Sequence, residues 1–201
     1  MTSDRTAMNE RIAFEKWEGY AKPIDRGRHV DFGDKFVFAP DYVMMSPHFN
    51  NGTPQSATDM FSDEVAAAMA EYAPDGDMLT AEWRMWWKHL PDYRLVSPFE
   101  CVAGEWGFTS CDTYAGTLAD GTVLELREWD YIWTNEDGHV TRWDWFVDTD
   151  KWEQLLSLVG LEAKGLTSQQ YTVNFLRQGG VGNWCPARRS AVSRQIGGVE
   201  Q

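Results

Sequence analysis

A stretch of alternating apolar and polar residues, 121–150, is the clearest pattern in the chain. It predicts two β-strands joined by a tight turn at Asp137-Gly138, a dipeptide typical of hairpin connections. Because side chains alternate between the two faces of a strand, apolar positions mark the inner face. In the first strand that inner face also carries two carboxylates, and it consists of Leu124, Leu126, Glu128, Asp130 and Ile132.

Helical periodicity predicts several helices before this hairpin. Pro23 should end a first helix over residues 4–22, because proline cannot continue one. Its glutamates and lysines are expected to lie outside an apolar stripe formed by Ala13, Trp17, Tyr20 and Ile24. Residues 28–38 are predicted to form a second helix or an irregular turn. Two further helices are expected over residues 56–72 and 79–89, the latter carrying Trp83, Trp86 and Trp87.

The remaining segments are predicted to be mostly strands. A short strand is expected at residues 42–45, with a loop over residues 46–54. Turn signals then divide the following region into four successive antiparallel strands, 93–102, 106–117, 122–134 and 139–147. A last helix is predicted from residues 150–153, which resemble a capping box, to near Gly160. Residues beyond 164 are predicted to pack loosely and to be partly disordered at their end.

Helices followed by a run of strands predict an α+β fold. We expect N-terminal helices packed in the concave face of a strongly curved mixed or antiparallel sheet, a cone-shaped α+β barrel. One domain is expected over residues 1–164, and residues 165–201 are expected to form a partly ordered C-terminal extension. The open mouth of such a cone is a natural place for a ligand pocket.

Composition narrows the classes of partner. The chain has 18 basic and 31 acidic residues, a net charge of −13, which argues against nucleic acid or an anionic membrane as a partner. Eleven tryptophans in 201 residues predict an aromatic-lined interior or cavity, although several of them are expected simply to fill the core.

Three cysteines, Cys101, Cys111 and Cys185, form no paired motif, so neither a zinc site nor a disulfide framework is indicated. The N-terminus lacks the apolar segment of a signal peptide, and no stretch approaches the roughly 20 apolar residues of a membrane span. We therefore expect a cytoplasmic protein that uses no metal and no cofactor.

The inward carboxylates of the hairpin are the best candidates for chemistry. A carboxylate facing an apolar interior loses solvation, and a second one on the same face adds repulsion, so its pKa should rise. Glu128 and Asp130 are therefore predicted to act as an acid–base or hydrogen-bond-donor pair. Alternatively the two faces are reversed, or an arginine holds the pair for structural reasons. His48, expected near the cone mouth, is a candidate base unless it is an ordinary loop residue.

Three local motifs occur in a fixed order. Residues 20–27 place a tyrosine seven residues before a glycine, and residues 38–47 read FAPDYVMMSP. Residues 130–148 run from an aspartate through the hairpin glycine to a second aspartate. In this order and spacing the chain resembles the SnoaL-like and ketosteroid isomerase-like members of the nuclear transport factor 2-like superfamily, over roughly residues 8–160.

The resemblance implies roles for some residues and leaves others vacant. In ketosteroid isomerases the matching tyrosine and aspartic acid donate hydrogen bonds to a developing oxyanion, which implies that role for Tyr20 and Asp130. The family's base aspartate corresponds to Ser46, a poor base, and its catalytic aspartate on the last strand corresponds to Trp145. In related epoxide hydrolases an arginine orients the attacking water. This chain has Glu128 at the matching position. None of these catalytic sets is complete.

We predict a small cofactor-independent enzyme that binds a hydrophobic cyclic or aromatic substrate and transfers protons, of the isomerase, dehydratase or polyketide-cyclase type. A homodimer is expected. Two alternatives stay open: a non-catalytic binding protein that uses the same cavity, and a structural protein whose cone is filled by its own tryptophans. The predicted catalytic residues are Tyr20, His48, Glu128 and Asp130, with Asp112 and His89 as further polar candidates. The predicted substrate contacts are Trp17, Ser46, Trp83, Trp87, Trp143 and Trp145.

Overall fold

The computed structural model describes residues 3–23, 29–33 and 35–181. The helices of this part of the chain are α1 (Asp4–Ala21), α2 (Ala57–Met60), α3 (Asp63–Tyr72), α4 (Met78–His89), α5 (Thr149–Leu158) and α6 (Ser168–Gly179). The strands are β1 (Phe38–Met45), β2 (Gln55–Ser56), β3 (Arg94–Leu95), β4 (Cys101–Gly104), β5 (Gly107–Thr117), β6 (Val123–Thr134) and β7 (Val140–Val147).

The strands form one seven-stranded sheet in the order β2-β1-β7-β6-β5-β3, with β4 also paired to β5. β1 runs parallel to β7, and the other pairs are antiparallel. The sheet is curled but does not close into a complete barrel. The α+β fold class predicted from the sequence, with N-terminal helices and a mixed curved sheet, is confirmed.

The long hairpin of β6 and β7 lies at the centre of this sheet, and its predicted inner face is confirmed. Along β6, buried and exposed positions alternate, and the leucines, the two carboxylates and Ile132 are the buried set. Glu125, Arg127 and Trp129 of the same strand face outward. Because one face of β6 is buried, the register of the strand is fixed. A shift of one residue would move every buried side chain to the exposed face.

Helix α1 covers one end of the sheet, where it contacts β3, β4 and β5. Ser3 caps its first turn by accepting a hydrogen bond from the backbone N–H of Thr6. Its buried face differs from the predicted stripe because it includes a lysine: Asn9, Ile12, Ala13, Lys16, Gly19 and Tyr20. Ile24, the last predicted member of the stripe, lies outside the described residues.

Helices α3, α4 and α6 form a helical layer. α6 packs against α3 and α4, and it buries Tyr171, Val173, Phe175 and Leu176. A capping box between Thr167 and Gln170 starts this helix. The loose packing predicted beyond residue 164 is therefore wrong for residues 168–179. Residues 182–201, including Cys185, lie outside the described part, so the predicted domain boundary stays a prediction.

Other predicted elements are shifted for local reasons. The helix predicted over residues 56–72 is two helices, because Ser62 caps a new start by accepting from the backbone N–H of Val65. The strand predicted over residues 93–102 is divided into β3 and β4, and the segment between them contains Pro98, which cannot donate to a sheet. α5 begins at Thr149 after Asp148, so the predicted capping box at residues 150–153 does not form.

Residues 28–38 are predicted to form a helix or an irregular turn. Their described part is an irregular segment that ends where β1 begins, at Phe38. Residues 28 and 34 lie outside the described part. In the ranges that the structure covers, we found no helix that is both long enough and apolar enough to cross a membrane.

Gly179→Ala should destabilise the protein by about 1–3 kcal/mol, the usual cost of forcing an extra carbon into a packed site. A Cβ at this position would overlap the carbonyl oxygen of Ala81 on α4. Glycine to alanine in a helix ordinarily stabilises by up to about 1 kcal/mol, so the sign of the change in unfolding free energy, measured with urea, is diagnostic. A gain in stability would contradict the close α4–α6 contact.

Candidate functional site

A buried lysine stands at the centre of the polar residues inside the fold. Lys16 is 1% exposed, and its Nζ donates hydrogen bonds to Asp112 Oδ2 at 2.8 Å and to Asp130 Oδ2 at 2.6 Å. Glu128 Oε1 lies 3.9 Å from the same nitrogen. One ammonium group therefore holds three carboxyl groups that come from two different strands.

The pairing of β5 with β6 brings these carboxyl groups together. Asp112 lies directly opposite Glu128, and Ser110 lies opposite Asp130. Because Glu128 and Asp130 are two residues apart, they share the inner face. Charges at this depth carry a large desolvation cost, which the contacts of Lys16 with the carboxyl groups partly offset.

Asp130 is completely buried, and both of its oxygens accept hydrogen bonds. Oδ2 accepts from Lys16, and Oδ1 accepts from the indole Nε1 of Trp143 at 2.5 Å. Asp130 does not line the cavity. The geometry therefore gives no support to the predicted role of Asp130 as a donor to a ligand, and places it as the anchor of Lys16 instead.

Burial by itself lowers the pKa of Lys16, but Asp112, Asp130 and Glu128 act more strongly in the opposite direction and raise it above its usual value. The ammonium also lies 5.4 Å from the centre of the Tyr20 ring and 5.5 Å from that of Trp143, where a cation interacts favourably with the π-electrons. Lys16 is thus a fixed positive charge at all ordinary pH values.

Carboxyl oxygens of Asp112, Glu128 and Asp130 lie within 4.8 Å of one another, a spacing found among metal ligands. The Lys16 ammonium contacts all three groups at 2.6–3.9 Å. Lys16 therefore occupies the place between the carboxyl groups where a metal ion would bind. Their close spacing is explained by their contacts with Lys16.

An apolar cavity of about 360 Å³ lies beside this cluster. Its volume is at the lower end of the range usual for small-molecule sites. Residues of the sheet, of α1 and of the helical layer enclose it: Tyr20, Phe38, Ala39, Tyr42, Met44, Phe49, Ala57, Met60, Phe61, Met78, Leu79, Glu82, Glu128, Trp143, Trp145, Ser168, Tyr171, Thr172 and Phe175.

Glu128 is the member of the ion cluster that faces the cavity. Burial raises its pKa well above the usual value, and Asp130 adds to the rise. Lys16 and the Trp145 side chain act in the opposite direction without cancelling it. A carboxyl group with a raised pKa in an apolar cavity is suited to accept and to return a proton.

Tyr20 also lines the cavity. Its ring stacks on Trp83 at 5.2 Å between centroids. Burial, followed by the nearby Glu82 and Glu128, raises the pKa of Tyr20 well above the usual value, so its hydroxyl stays protonated and can donate. No hydrogen bond from this hydroxyl to another described residue is present.

The structure brings together only some of the predicted site residues. Trp143 and Trp145 line the cavity beside Glu128 and Tyr20. Trp83 and Trp87 are buried behind it, with ring centroids 5.7 Å apart. Because they pack on aromatic side chains of the core, they shape the cavity only indirectly.

Trp17, Ser46 and His48 also lie outside the cavity lining. Trp17 packs on Phe99, and its indole N–H donates to the carbonyl oxygen of Ser97 at 3.3 Å. The Ser46 hydroxyl accepts from the backbone N–H of His48, a local turn contact. The His48 ring packs against Trp145 at 5.8 Å, and burial lowers its pKa.

His89 ends α4 and does not line the cavity. Burial, followed by the neighbouring Lys88, lowers its pKa.

Sequence reasoning missed Lys16, Glu82 and Tyr171. A signal existed for Lys16, since it is four residues after Ile12 and four before Tyr20, on the same side of the helix. The sequence does not reveal its burial, because a lysine on an apolar helix face is ordinarily solvated and the partners of Lys16 lie 96 and 114 residues away. Tyr171 belongs to a helix that was not predicted.

No protein-family model and no curated protein matches the sequence. Among solved structures, the chain is similar to a phenazine biosynthesis-related protein from Pseudomonas aeruginosa, with 16% identity over 77% of this chain and 88% of that chain and a TM-score of 0.46. An NTF2-like protein from Burkholderia pseudomallei shows 17% identity over 74% and 96%, with a TM-score of 0.42. A steroid delta-isomerase from Pseudomonas aeruginosa shows 15% identity over 76% and 96%, with a TM-score of 0.36.

NTF2-like proteins and a steroid delta-isomerase are thus among the structures similar to this chain. With identities of 10–17% among the neighbours, their substrates and reactions are not transferred to this chain.

Lys16→Met should lower the free energy of unfolding by about 3–5 kcal/mol, because it leaves buried carboxylates without their cation. Adding Asp112→Asn and Asp130→Asn should restore most of the loss, which denaturant unfolding would measure. Lys22→Met is the matched control, since its pair with Glu18 is exposed and is expected to contribute less than about 1 kcal/mol. Equal losses of unfolding free energy in Lys16→Met and Lys22→Met would contradict the role of Lys16 as the cation of the buried cluster.

Glu128→Gln should remove a pH-dependent destabilisation. Folding raises the pKa of Glu128 above its ordinary 4.5, so the folded protein binds this proton more tightly than the unfolded chain. Stability of the wild type therefore falls as pH rises above that value. The unfolding free energy of the variant relative to the wild type should increase between pH 4 and pH 8, with Glu125→Gln as the control for removing one exposed carboxylate. A difference that does not vary with pH would contradict the raised pKa.

Proposed function

We propose that this protein is a cofactor-independent proton-transfer enzyme for a hydrophobic cyclic or aromatic substrate, of the isomerase, dehydratase or polyketide-cyclase type. The observation that carries the proposal is the position of Glu128, whose carboxyl group belongs to the buried ion cluster and also faces the apolar cavity. Lys16, Asp112 and Asp130 do not line the cavity. In this proposal they hold Glu128 in place.

In this proposal Glu128 acts as the general base and acid. A C–H bond next to a substrate carbonyl breaks, its proton moves to the Glu128 carboxylate, and the electron pair forms an enolate. The proton then returns to another atom of the substrate, which regenerates the carboxylate. A carboxylate with a raised pKa is a stronger base than an ordinary one, which favours the first step.

Tyr20 is proposed to stabilise the enolate oxygen. Its hydroxyl lies in the cavity and stays protonated, so it can donate to an oxygen on which negative charge develops. Lys16, Asp112 and Asp130 are proposed to be positioning residues that hold Glu128 in place and set its pKa.

The homodimer and the cytoplasmic location inferred from the sequence remain predictions. Light scattering would measure whether the protein is a dimer.

A non-catalytic binding protein is the second candidate. The observation that favours it is that the family's base position holds Ser46, which is buried and does not line the cavity. The third alternative, a cone filled by its own tryptophans, is disfavoured by the cavity of about 360 Å³.

A panel of cyclic and aromatic ketones, incubated with the protein in D₂O, should show catalysed loss of the C–H signals next to the carbonyl by proton NMR. Glu128→Gln should slow this exchange by at least about 100-fold, since general acid–base catalysis contributes 10²–10⁴-fold. Glu125→Gln, on the exposed face of the same strand, should leave it unchanged. Tyr20→Phe should slow it by about 100-fold or more.

Exchange at the wild-type rate in Glu128→Gln would overturn the assignment of the base. Binding of panel members without any exchange, across pH 5 to 9, would select the non-catalytic alternative.

A further inference from the structure

A second carboxyl group lies in the cavity on the helical side. Glu82 of α4 and Tyr171 of α6 both line it, and the Tyr171 hydroxyl donates a hydrogen bond to Glu82 Oε1. The two residues are 89 positions apart in the chain, so this contact exists only because α6 packs against α4. Neither residue takes part in the proton transfer proposed above.

The Glu82–Tyr171 pair and Glu128 belong to different walls. Glu128 projects from β6 of the sheet, whereas Glu82 and Tyr171 project from the helical layer. Tyr20 of α1 lies in the electrostatic field of both carboxyl groups, since each raises its pKa. The rest of the lining is largely apolar and includes Phe49, Met60, Met78, Leu79 and Phe175.

The charges of the lining restrict the ligand further. Of the lining residues that the structure describes, two are acidic and none is a lysine, arginine or histidine. Lys16 lies close by, but its ammonium already contacts three carboxyl groups. An anionic ligand would therefore lose its hydration without gaining a cation, whereas a neutral ligand with hydroxyl or carbonyl groups would meet suitable partners.

The Glu82–Tyr171 pair has no role in the proposed reaction, yet burying a carboxyl group in an apolar cavity costs free energy. Burial raises the pKa of Glu82, and the hydrogen bond from Tyr171 acts in the opposite direction. A contact serving only to join α4 to α6 does not require a carboxyl group that faces the cavity, because apolar side chains would pack there at lower cost.

We propose that Glu82, held by Tyr171, is a second polar subsite of the cavity, so that the ligand is a neutral ring compound with two separate oxygen functions. One oxygen lies at Glu128 and Tyr20, and the other lies at Glu82. This inference rests on the proposed function for the identity of the first subsite, and it specifies the substrate class of that function.

Calorimetric titration with naphthols tests the subsite without requiring turnover. The probes are 2-naphthol, with one oxygen, and 2,6- and 2,7-dihydroxynaphthalene, with two. The wild type should bind the better dihydroxy compound about tenfold more tightly than 2-naphthol, the effect of one additional hydrogen bond to a carboxyl group. It should bind 2-naphthoate more weakly than 2-naphthol.

Glu82→Leu should abolish the advantage of the second hydroxyl and leave the affinity for 2-naphthol within about twofold, because one hydroxyl can still bind at Glu128. Glu82→Gln serves as a second variant of nearly unchanged shape, and Glu71→Leu, exposed on α3, is the matched control that should keep the tenfold advantage. A merely structural Glu82 would alter stability but not the ratio of the two affinities.

Equal affinities of the wild type for one-oxygen and two-oxygen probes would overturn the inference, as would an advantage that survives in Glu82→Leu, or a failure of all the naphthols to bind. Each of these outcomes leaves proton transfer at Glu128 to be judged by the exchange experiment. Conversely, the expected affinities without any exchange would remove the proposed reaction and retain the subsite.

Discussion

The ion cluster around Lys16 is the interaction on which the rest of this structure depends. Three carboxyl groups, Asp112, Glu128 and Asp130, face inward from β5 and β6, and without a cation their repulsion and desolvation would oppose folding. Lys16 supplies that cation from α1. The position of α1 on the sheet and the charge balance of the interior are therefore set by the same contact.

Buried ion clusters are a weak source of stability, because the cost of removing charges from water offsets much of their attraction. The consequence of the cluster in this protein is its effect on the pKa of Glu128. Asp112 and Asp130 bind the ammonium at hydrogen-bond distance, whereas Glu128 lies 3.9 Å from it. Burial and the repulsion by Asp130 therefore outweigh the attraction of Lys16, and the pKa of Glu128 stays raised in the apolar cavity.

The sequence predicts the central hairpin well because a single observation, strict alternation along β6, determines both its secondary structure and its buried face. The same pattern correctly turns Glu128 and Asp130 inward. Local patterns therefore sufficed wherever one element by itself determined which residues face inward.

The site could not be completed from the sequence because its remaining parts depend on contacts between distant segments. Periodicity places Lys16 beside Ile12 and Tyr20, but only the folded sheet supplies its partners on β5 and β6. Likewise, Glu82 becomes a cavity residue only when α6 brings Tyr171 to it. The predicted donor role of Asp130 finds no support for the same reason, since both of its oxygens are engaged by Lys16 and Trp143.

The most direct test of the central claim is a titration of the glutamate side-chain carboxyl carbons by carbon-13 NMR, in the wild type and in Glu128→Gln. We expect a wild-type resonance that titrates well above the ordinary pKa of 4.5 and that is missing in the variant. If every raised titration of the wild type persisted in the variant, the assignment of Glu128 as the proton-transferring group of this cavity would be contradicted.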